Sequence, residues 1–381
     1  MKVVVVCDTF KESLPALEVA DAVVAGFRDV FPHADYVCLP AADGGEGTVE
    51  ALVLASGGQF RQRQVSGPDG RAVQARYGVM GDGRTAVLEM AAAAGLDLVA
   101  RADRNPLAAT TYGVGELLRA VLDDGCRHII LGLGGSATND GGAGMAQALG
   151  ARLLDRSGQE LARGGAALSE LASLDLSGLE PRLADCVIEV ACDVENPLVG
   201  EHGASSVFGP QKGATPDMVA QLDAALQHYG ALLETHTGQP VLDVPGAGAG
   251  GGMGAGSAIF LRAQLRPGVD IVMDALQLDR TVADADLVIT GEGRMDGQTV
   301  RGKAPVGVAR VAKQHGKPVI ALAGTLGAGY EAVYDHGIDA VFSVVNSPCT
   351  LDEALGAAYT NVRATARNVA ATLGLSFPRA G

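Results

Sequence analysis

The chain has 381 residues, 48% hydrophobic and 4% aromatic, with a formal net charge of −15 at pH 7. This acidity argues against a nucleic-acid partner, which would need clustered cations. No apolar run approaches the roughly 20 residues that span a bilayer. The N-terminal apolar run ends at Cys7, too early for a secretory signal, so we expect a cytoplasmic protein with no membrane partner. The six cysteines form no C-x-x-C pair and are interpreted as reduced packing residues.

The first segment predicts alternating strands and helices. The β-branched run Lys2–Cys7 predicts a buried parallel strand. Pro15 suits a first helical turn, and the apolar residues that follow it share one helical face. "ADYVCLP" then predicts a second strand and "GEGTVEALVLAS" a second helix. The chain therefore begins with a βαβα pattern.

The periodicity changes near residue 60. Residues on both sides of "GPDG" alternate between polar and apolar, which predicts an antiparallel hairpin. The α/β rhythm resumes near residue 284 with the strands "DLVIT", "PVIALAG" and "AVFSVV". The predicted fold class is α/β: a discontinuous Rossmann-like domain (residues 1–60 and 284–381) with a second α/β domain (residues 61–283) inserted, and a cleft between the two.

The segment Gly132–Gly144, "GLGGSATNDGGAG", has six glycines in thirteen residues and follows the strand-like run "HIIL". Its beginning matches G-x-G-x-x-A, and Asp155 lies about twenty residues further on, as in dinucleotide-binding folds. A helix should start within that motif, but "TNDGGAG" disfavours a first helical turn. We interpret the loop mainly as a nest of N–H groups and hydroxyls that binds an anion. An NAD(P)-dependent dehydrogenase of a small hydroxy acid stays as an alternative.

Lysine is scarce, with six Lys against 23 Arg. Lys11, Lys212 and Lys303 lie in segments marked by Gly, Ser or Pro, and lysine is a compact charge suited to phosphate. The stretch "GQTVRGKA" around Lys303 is similar to a Walker A loop, but Ala304 lacks the hydroxyl that ligates Mg²⁺, and six residues separate the stretch from "DLVIT". It is not a P-loop. Lys303 could still meet a phosphate at the start of the next helix.

Carboxylates recur in the loops that follow predicted strands. They are Asp8, Asp43, Glu46, Asp193, Glu292 and Asp296. Ligands of open α/β sheets bind at the carboxyl ends of the strands, so these loops are candidates for metal–phosphate chemistry. Each carboxylate could instead cap a helix or a turn. Their recurrence in four loops favours the functional interpretation.

Five segments carry a longer pattern. They are "CDTFKESLPALEVADAV", "PAADGGEGTVEAL", "LGGSATNDGGAGMAQALGA", "ACDVENPLVGEHGASSVFGPQKGA" and "DADLVITGEGRMDGQTVRGKAPVGVA". Together they resemble the type-1 glycerate kinases, in the same order from residue 1 to about residue 345. Cys7 replaces a Pro or similar residue of that pattern, and Thr9 and Glu12 replace a commoner Ser and Gly. Asp8 and Lys11 are retained.

The resemblance implies two α/β domains that flank a cleft, and an enzyme that transfers the γ-phosphoryl group of ATP to glycerate with Mg²⁺, the 2-hydroxyl being favoured. The residues expected to act are Asp193 (as the base), Lys11 and Arg294 in catalysis; Gly134, Gly135, Ser136, Thr138, Asn139, Asp140, Lys212 and Lys303 at the cofactor; and Asp8, Glu292 and Asp296 at the metal. The 132–144 loop could hold either nucleotide phosphates or the substrate carboxylate. A non-catalytic hydroxy-acid binding protein is a further alternative, and both a monomer and a homodimer are open.

Overall fold

A computed structural model describes residues 1–45 and 47–375 of the chain. Within these ranges the strands are β1 Lys2–Cys7, β2 Asp35–Pro40, β3 Gln59–Ser66, β4 Ala72–Val79, β5 Thr85–Glu89, β6 His128–Gly132, β7 Arg152–Leu154, β8 Ser173–Asp175, β9 Val187–Ala191, β10 Gln264–Arg266, β11 Leu287–Met295, β12 Val319–Leu326 and β13 Ala340–Ser343. The helices are α1 Ala16–Arg28, α2 Thr48–Ser56, α3 Ala91–Ala94, α4 Tyr112–Asp123, α5 Ala143–Ala148, α6 Ala204–Phe208, α7 Pro216–Thr237, α8 Ala249–Phe260, α9 Gly268–Ala275, α10 Leu278–Val282, α11 Ala304–Gln314, α12 Leu351–Gly356 and α13 Ala358–Leu373. In this part of the chain no helix is both long enough and apolar enough to cross a membrane.

The chain divides into two compact units. Unit 1 comprises Met1–Asp43 and the chain from Val269 onward, and unit 2 comprises Gly44–Gly268. The sequence pattern predicted the two domain boundaries later in the chain, near residues 60 and 284. One reason is that α2, which precedes the hairpin, packs on a strand of unit 2: a Cβ at Gly78 of β4 would lie 2.1 Å from the Val53 side chain. The proposed division into two functional domains with a cleft stays a prediction.

Unit 1 contains a five-stranded, all-parallel sheet in the order β13-β12-β11-β1-β2. The late strands β11, β12 and β13 thus lie in one sheet with Lys2–Cys7. Val3–Cys7 of β1 is fully buried, as a β-branched central strand should be. Helices α1 and α13 share a core in which Phe27 and Val362 are buried. Gly26 allows their close approach, because a Cβ there would lie 2.3 Å from the Arg363 carbonyl oxygen.

Unit 2 contains a six-stranded mixed sheet in the order β10-β9-β6-β5-β4-β3. Strands β5, β6, β9 and β10 are parallel, whereas β3, β4 and β5 are antiparallel. The predicted "GPDG" hairpin is confirmed, with Ser66 opposite Ala72. Helix α7 begins at a Thr215 side-chain cap and buries Leu222, Leu226 and Leu233 on one face against the core. This frame brings the carboxyl ends of β5, β6 and β9 to one edge of the sheet.

Candidate active site

The loop after β6 is longer than a dinucleotide turn. Strand β6 ends at Gly132, and helix α5 begins only at Ala143. A pyrophosphate-binding turn of the G-x-G-x-x-A kind would start its helix inside the motif. The structure therefore confirms the objection to a dinucleotide fingerprint at this position.

The polar side chains of this loop are turned inward. Thr138, Asn139 and Asp140 are fully buried. The Asp140 carboxylate accepts hydrogen bonds from the Thr111 N–H at 2.8 Å, the Thr111 hydroxyl at 3.0 Å, and the N–H groups of Gly142 and Gly144 at 3.2 and 3.3 Å. Burial raises the pKa of Asp140 in spite of these bonds. Through these bonds the carboxylate holds the loop to the residues at the start of α4 and of α5.

A second glycine-rich segment packs against the loop. Within α8, Gly250–Gly252 have φ values of 61°, 75° and 87°, a region that favours glycine. A Cβ at Gly251 would lie 2.0 Å from the Thr138 carbonyl oxygen, and the Gly141 N–H donates to the Gly251 carbonyl at 3.0 Å. Much of the glycine in both segments therefore serves backbone-to-backbone packing.

Lys212 lies behind the same loop. Its side chain is 2% exposed, and its ammonium donates to Ser136 Oγ at 2.8 Å and to the Thr138 carbonyl at 2.6 Å. Burial lowers the pKa of Lys212 to about 7, and the charge of Asp140 opposes this only in part. The structure thus joins predicted cofactor residues to one another. Lys212, Ser136 and Thr138 are each at most 5% exposed.

Gly134 and Gly135 are the exposed part of the loop, and they open onto a cavity of about 550 Å³ in unit 2. We call it the Phe60 cavity. Its wall includes Phe60, Arg76, Glu89, Leu96, Gly134 and Gly135. The Arg76 guanidinium carbon lies 3.6 Å from the centroid of the Phe60 ring. Neither Phe60 nor Arg76 was predicted as a site residue, because both lie in a hairpin whose alternating pattern carries no signal of a site.

At the sheet edge of unit 1, Asp8 follows β1 directly. The pKa of Asp8 is raised to about 7, mainly by burial and in addition by the charges of Asp43 and Glu292, while the Thr9 N–H and Lys11 oppose the rise. The Thr9 N–H donates to Asp8 Oδ1 at 2.6 Å. Three of the predicted carboxylates therefore interact electrostatically, with Lys11 beside them. Glu46 lies outside the described residues.

Glu292 and Arg294 lie in strand β11, which corrects the expectation that the strand ends at "DLVIT". The strand continues to Met295 because it pairs with β12 as far as Leu326. Gly293 lets the loop after β1 come close, since a Cβ there would lie 3.2 Å from Phe10 Cα and 3.3 Å from the Lys11 nitrogen. The glycine that suggested a loop in the sequence therefore lies in a strand, where its missing side chain leaves room for the loop after β1.

Glu292 is 5% exposed and has two partners. Its Oε1 accepts the Thr299 hydroxyl at 2.6 Å, and its Oε2 accepts the Lys303 ammonium at 2.9 Å. Burial raises the pKa of Glu292 although both bonds lower it. Lys303 directly precedes α11, so its charge lies at the N-terminus of an eleven-residue helix. Thr299 was missed, although it stands inside the quoted "GQTVRGKA".

Arg294 and Asp296 pair with each other. Arg294 Nε lies 3.1 Å from Asp296 Oδ2, and the Gln298 N–H donates to Asp296 Oδ1 at 2.9 Å. The Gln298 N–H contributes most to lowering the pKa of Asp296. The Arg294 side chain is 70% exposed, so it can reach a ligand by a change of rotamer.

The expected three-carboxylate metal site is not assembled. Within residues 1–45 and 47–375, no group of three His, Cys, Asp or Glu side chains is placed to hold a metal ion. Glu292 is bonded to Thr299 and Lys303, and Asp296 to Arg294. The raised pKa of Asp8 reflects burial and excess negative charge, both of which a cation would offset. Mg²⁺ commonly takes one or two carboxylates and completes its shell with phosphate oxygens and water. Asp8 with Asp43 fits that need.

Asp193 is exposed in the segment after β9. Its Oδ1 accepts the Gly268 N–H at 2.9 Å, which ties the carboxylate to the start of α9. The nearby turn is also fixed, because Asn196 donates to the His202 carbonyl at 2.7 Å. Asp193 is therefore a positioned and accessible carboxylate.

Comparisons with known proteins agree on one family. A model described as "Glycerate kinase family" matches residues 3–374. The chain is 55% identical to a glycerate 2-kinase of Escherichia coli (strain K12), over 100% of both chains. It is 54% identical to a glycerate kinase of Bacillus subtilis (strain 168), over 99% of this chain and 98% of that protein. A crystal structure provisionally named glycerate kinase 2, from Salmonella typhimurium LT2, superposes with a TM-score of 0.90 at 58% identity, covering 98% of each chain.

Proposed function

Because the chain belongs to the glycerate kinase family, we propose that it transfers the γ-phosphoryl group of ATP to the 2-hydroxyl of glycerate, giving 2-phosphoglycerate and ADP in the cytoplasm. The observation that carries the proposal is the full-length identity of 55% to a protein named for this reaction. The carboxylates and lysines at the sheet edge of unit 1 support it. Phosphoryl transfer depends mainly on positioning and charge neutralisation, which such groups supply.

In unit 1, Asp8 and Asp43 would hold Mg²⁺ that arrives with ATP. When bound, the ion neutralises charge on the phosphate oxygens. Lys303 adds a second positive charge at the N-terminus of α11, where the helix dipole favours an anion. Its bond to Glu292 fixes the position of the ammonium. Lys11 and Arg294 are candidates for contacting the transferred group.

We assign the general base to Asp193. In this step the 2-hydroxyl proton moves to the Asp193 carboxylate, the hydroxyl oxygen bonds to the γ-phosphorus, and the bond from that phosphorus to the β–γ bridging oxygen breaks. ADP then leaves with the electron pair. The support for this role is that Asp193 is exposed, while the Gly268 N–H holds it in place. A carboxylate that accepts a hydroxyl proton is a common part of kinases.

The reaction is tested by ADP release with ATP, Mg²⁺ and a panel of hydroxy acids. The panel contains glycerate, lactate (which has only the 2-hydroxyl) and 3-hydroxypropionate (which has only the 3-hydroxyl). We expect release with glycerate, a weaker signal with lactate, and none with 3-hydroxypropionate. Glycerate binding without ADP release would indicate a binding protein, and reduction of NAD or NADP would indicate a dehydrogenase.

A further inference from the structure

We propose that the Phe60 cavity of unit 2 holds the nucleoside part of the nucleotide donor, namely the purine base and its ribose. The inference rests on the proposed kinase function and assigns the nucleoside part of the donor to unit 2. The volume of about 550 Å³ lies within the roughly 300–1,000 Å³ of small-molecule sites. Glu89 ends β5, and Gly134 follows the end of β6. The cavity therefore lies at the carboxyl ends of two parallel strands, where open α/β sheets bind ligands.

The wall of the cavity offers flat and apolar surfaces. The guanidinium of Arg76 stacks on the Phe60 ring at 3.6 Å from guanidinium carbon to ring centroid. Leu96 and Leu98 add apolar surface, and the Leu98 side chain is 37% exposed. Nucleic-acid bases stack on aromatic rings and on guanidinium planes, and each such contact is worth about 1–3 kcal/mol. A planar heterocycle fits these surfaces.

The charge of the lining distinguishes a nucleoside from the other reactants. Among the described residues that line the cavity, Glu50, Glu89 and Asp97 are acidic and Arg76 is the single basic one. An acidic interior repels phosphate groups and the carboxylate of glycerate. Carboxylates are, however, suitable acceptors for ribose hydroxyls, as in dinucleotide-binding folds. The interior therefore suits the uncharged part of the nucleotide.

The mouth of the cavity suits the phosphate groups of the nucleotide. Gly134 and Gly135 are exposed there, and Gly135 has a φ of 70°. Across residues 1–45 and 47–375, neither of their N–H groups donates a hydrogen bond. Successive backbone N–H groups of this kind form anion-binding nests. The phosphates would then leave the cavity past Gly134–Gly135, while the base lies against Phe60 and Arg76.

A tryptophan reporter tests the proposal directly, because the chain contains no tryptophan. In Leu98→Trp the fluorescence should change saturably on addition of ADP and, more weakly, of adenosine. It should not change saturably with glycerate or with inorganic triphosphate. The matched control is Val187→Trp. Val187 is another exposed apolar residue of unit 2, and it begins β9 at the opposite, amino-terminal edge of the sheet. Its fluorescence should not respond to ADP.

A response of Leu98→Trp to glycerate and not to ADP would overturn the proposal. So would the absence of any ADP response in a preparation whose wild-type protein releases ADP with glycerate, and that result would leave the kinase function intact. An ADP response together with no glycerate phosphorylation by the wild type would instead support the cavity and refute the kinase.

A second variant provides a test that does not depend on the folding of Leu98→Trp. Arg76→Ala removes an exposed side chain from β4 and leaves the buried face of the strand unchanged. We expect the KM for ATP to rise about tenfold and the KM for glycerate to stay the same. An unchanged KM for ATP, or an equal rise in both constants, would contradict a nucleoside site at this position.

Discussion

Lys303 of unit 1 and Lys212 of unit 2 lie in similar sequence contexts but in different environments. Lys303 lies beside the carboxyl-terminal edge of the unit 1 sheet, and Lys212 lies behind the 132–144 loop. Lys303 is one-third exposed and bonded to the Glu292 carboxylate. Lys212 is 2% exposed and donates to the Ser136 hydroxyl and the Thr138 carbonyl. Lys303 therefore can meet an anion, whereas Lys212 supports a loop. We expect exposure and the bonding partner, more than residue type, to separate the groups that react from the groups that hold the fold.

The largest effect is expected for Asp193, and its substitution tests whether an exposed side chain of unit 2 is also a reactive one. Asp193→Asn should lower turnover by a factor of roughly 10² to 10⁴, because the amide cannot accept the hydroxyl proton. The fold and ATP binding should be retained, since Asp193 is at the surface. Steady-state rates and circular dichroism provide the measurement. A matched control is Asp155→Asn, which changes another carboxylate that accepts backbone N–H groups. Near-normal turnover of Asp193→Asn would remove this residue from the mechanism.

Lys303→Ala should raise the KM for ATP or lower turnover, by about tenfold or more, since a charge-assisted contact contributes about 1.5–3 kcal/mol. Lys313→Ala is the control. Lys313 lies in the last turn of the same helix and pairs with Asp339, so its loss should leave both kinetic constants unchanged. If the two variants behave alike, Lys303 is an ordinary surface cation.

Lys212→Met should show its effect in stability as a function of pH. The folded-state pKa of Lys212 is near 7, below its ordinary value of 10.5, so between these values the unfolded chain binds the extra proton. Wild-type stability should then rise from pH 7 to pH 10 by up to about 1.4 kcal/mol per pH unit from this group. The variant lacks that gain. Urea unfolding of both proteins at pH 7 and pH 9 measures it, and parallel pH dependences would mean that folding does not lower the pKa of Lys212.

The smallest expected effect concerns Glu12, in the loop after β1. Its φ is 64°, where an L-residue is strained by about 1–2 kcal/mol, and glycine is the commoner residue in the resembled pattern. Glu12→Gly should raise the free energy of unfolding by about 0.5–1 kcal/mol, because the greater entropy of unfolded glycine offsets part of the relief. Glu12→Ala keeps the Cβ and should bring no such gain. Equal effects of the two substitutions would indicate that the carboxylate, and not the backbone, is responsible.

Local patterns in the sequence predicted most of the framework. The β-branched run Lys2–Cys7 predicted β1, and the alternation around "GPDG" predicted the hairpin of β3 and β4, because strand periodicity is a local property. The length of strand β11 was underestimated, because "TGEGR" looks like a loop. The strand extends to Met295 because it pairs with β12, a contact that no local pattern shows.

The candidate site was less predictable because its contacts are long-range. Nothing local shows that Gly251 packs on Thr138, or that Lys212 reaches Ser136. The buried state of Asn139 and Asp140 follows from those contacts. Polar residues in a glycine-rich loop therefore resembled a phosphate cradle, although most of them are bonded inside unit 2.

The most direct test of the central claim is to couple the reaction of wild-type protein, ATP, Mg²⁺ and glycerate to enolase in the absence of phosphoglycerate mutase. A site that clamps the carboxylate of glycerate fixes the adjacent 2-hydroxyl more closely than the distal one, and fixed geometry provides much of the rate. If the 2-hydroxyl is phosphorylated, phosphoenolpyruvate should form immediately, because enolase consumes 2-phosphoglycerate. A signal that appears only after mutase is added would show that the 3-hydroxyl is phosphorylated instead.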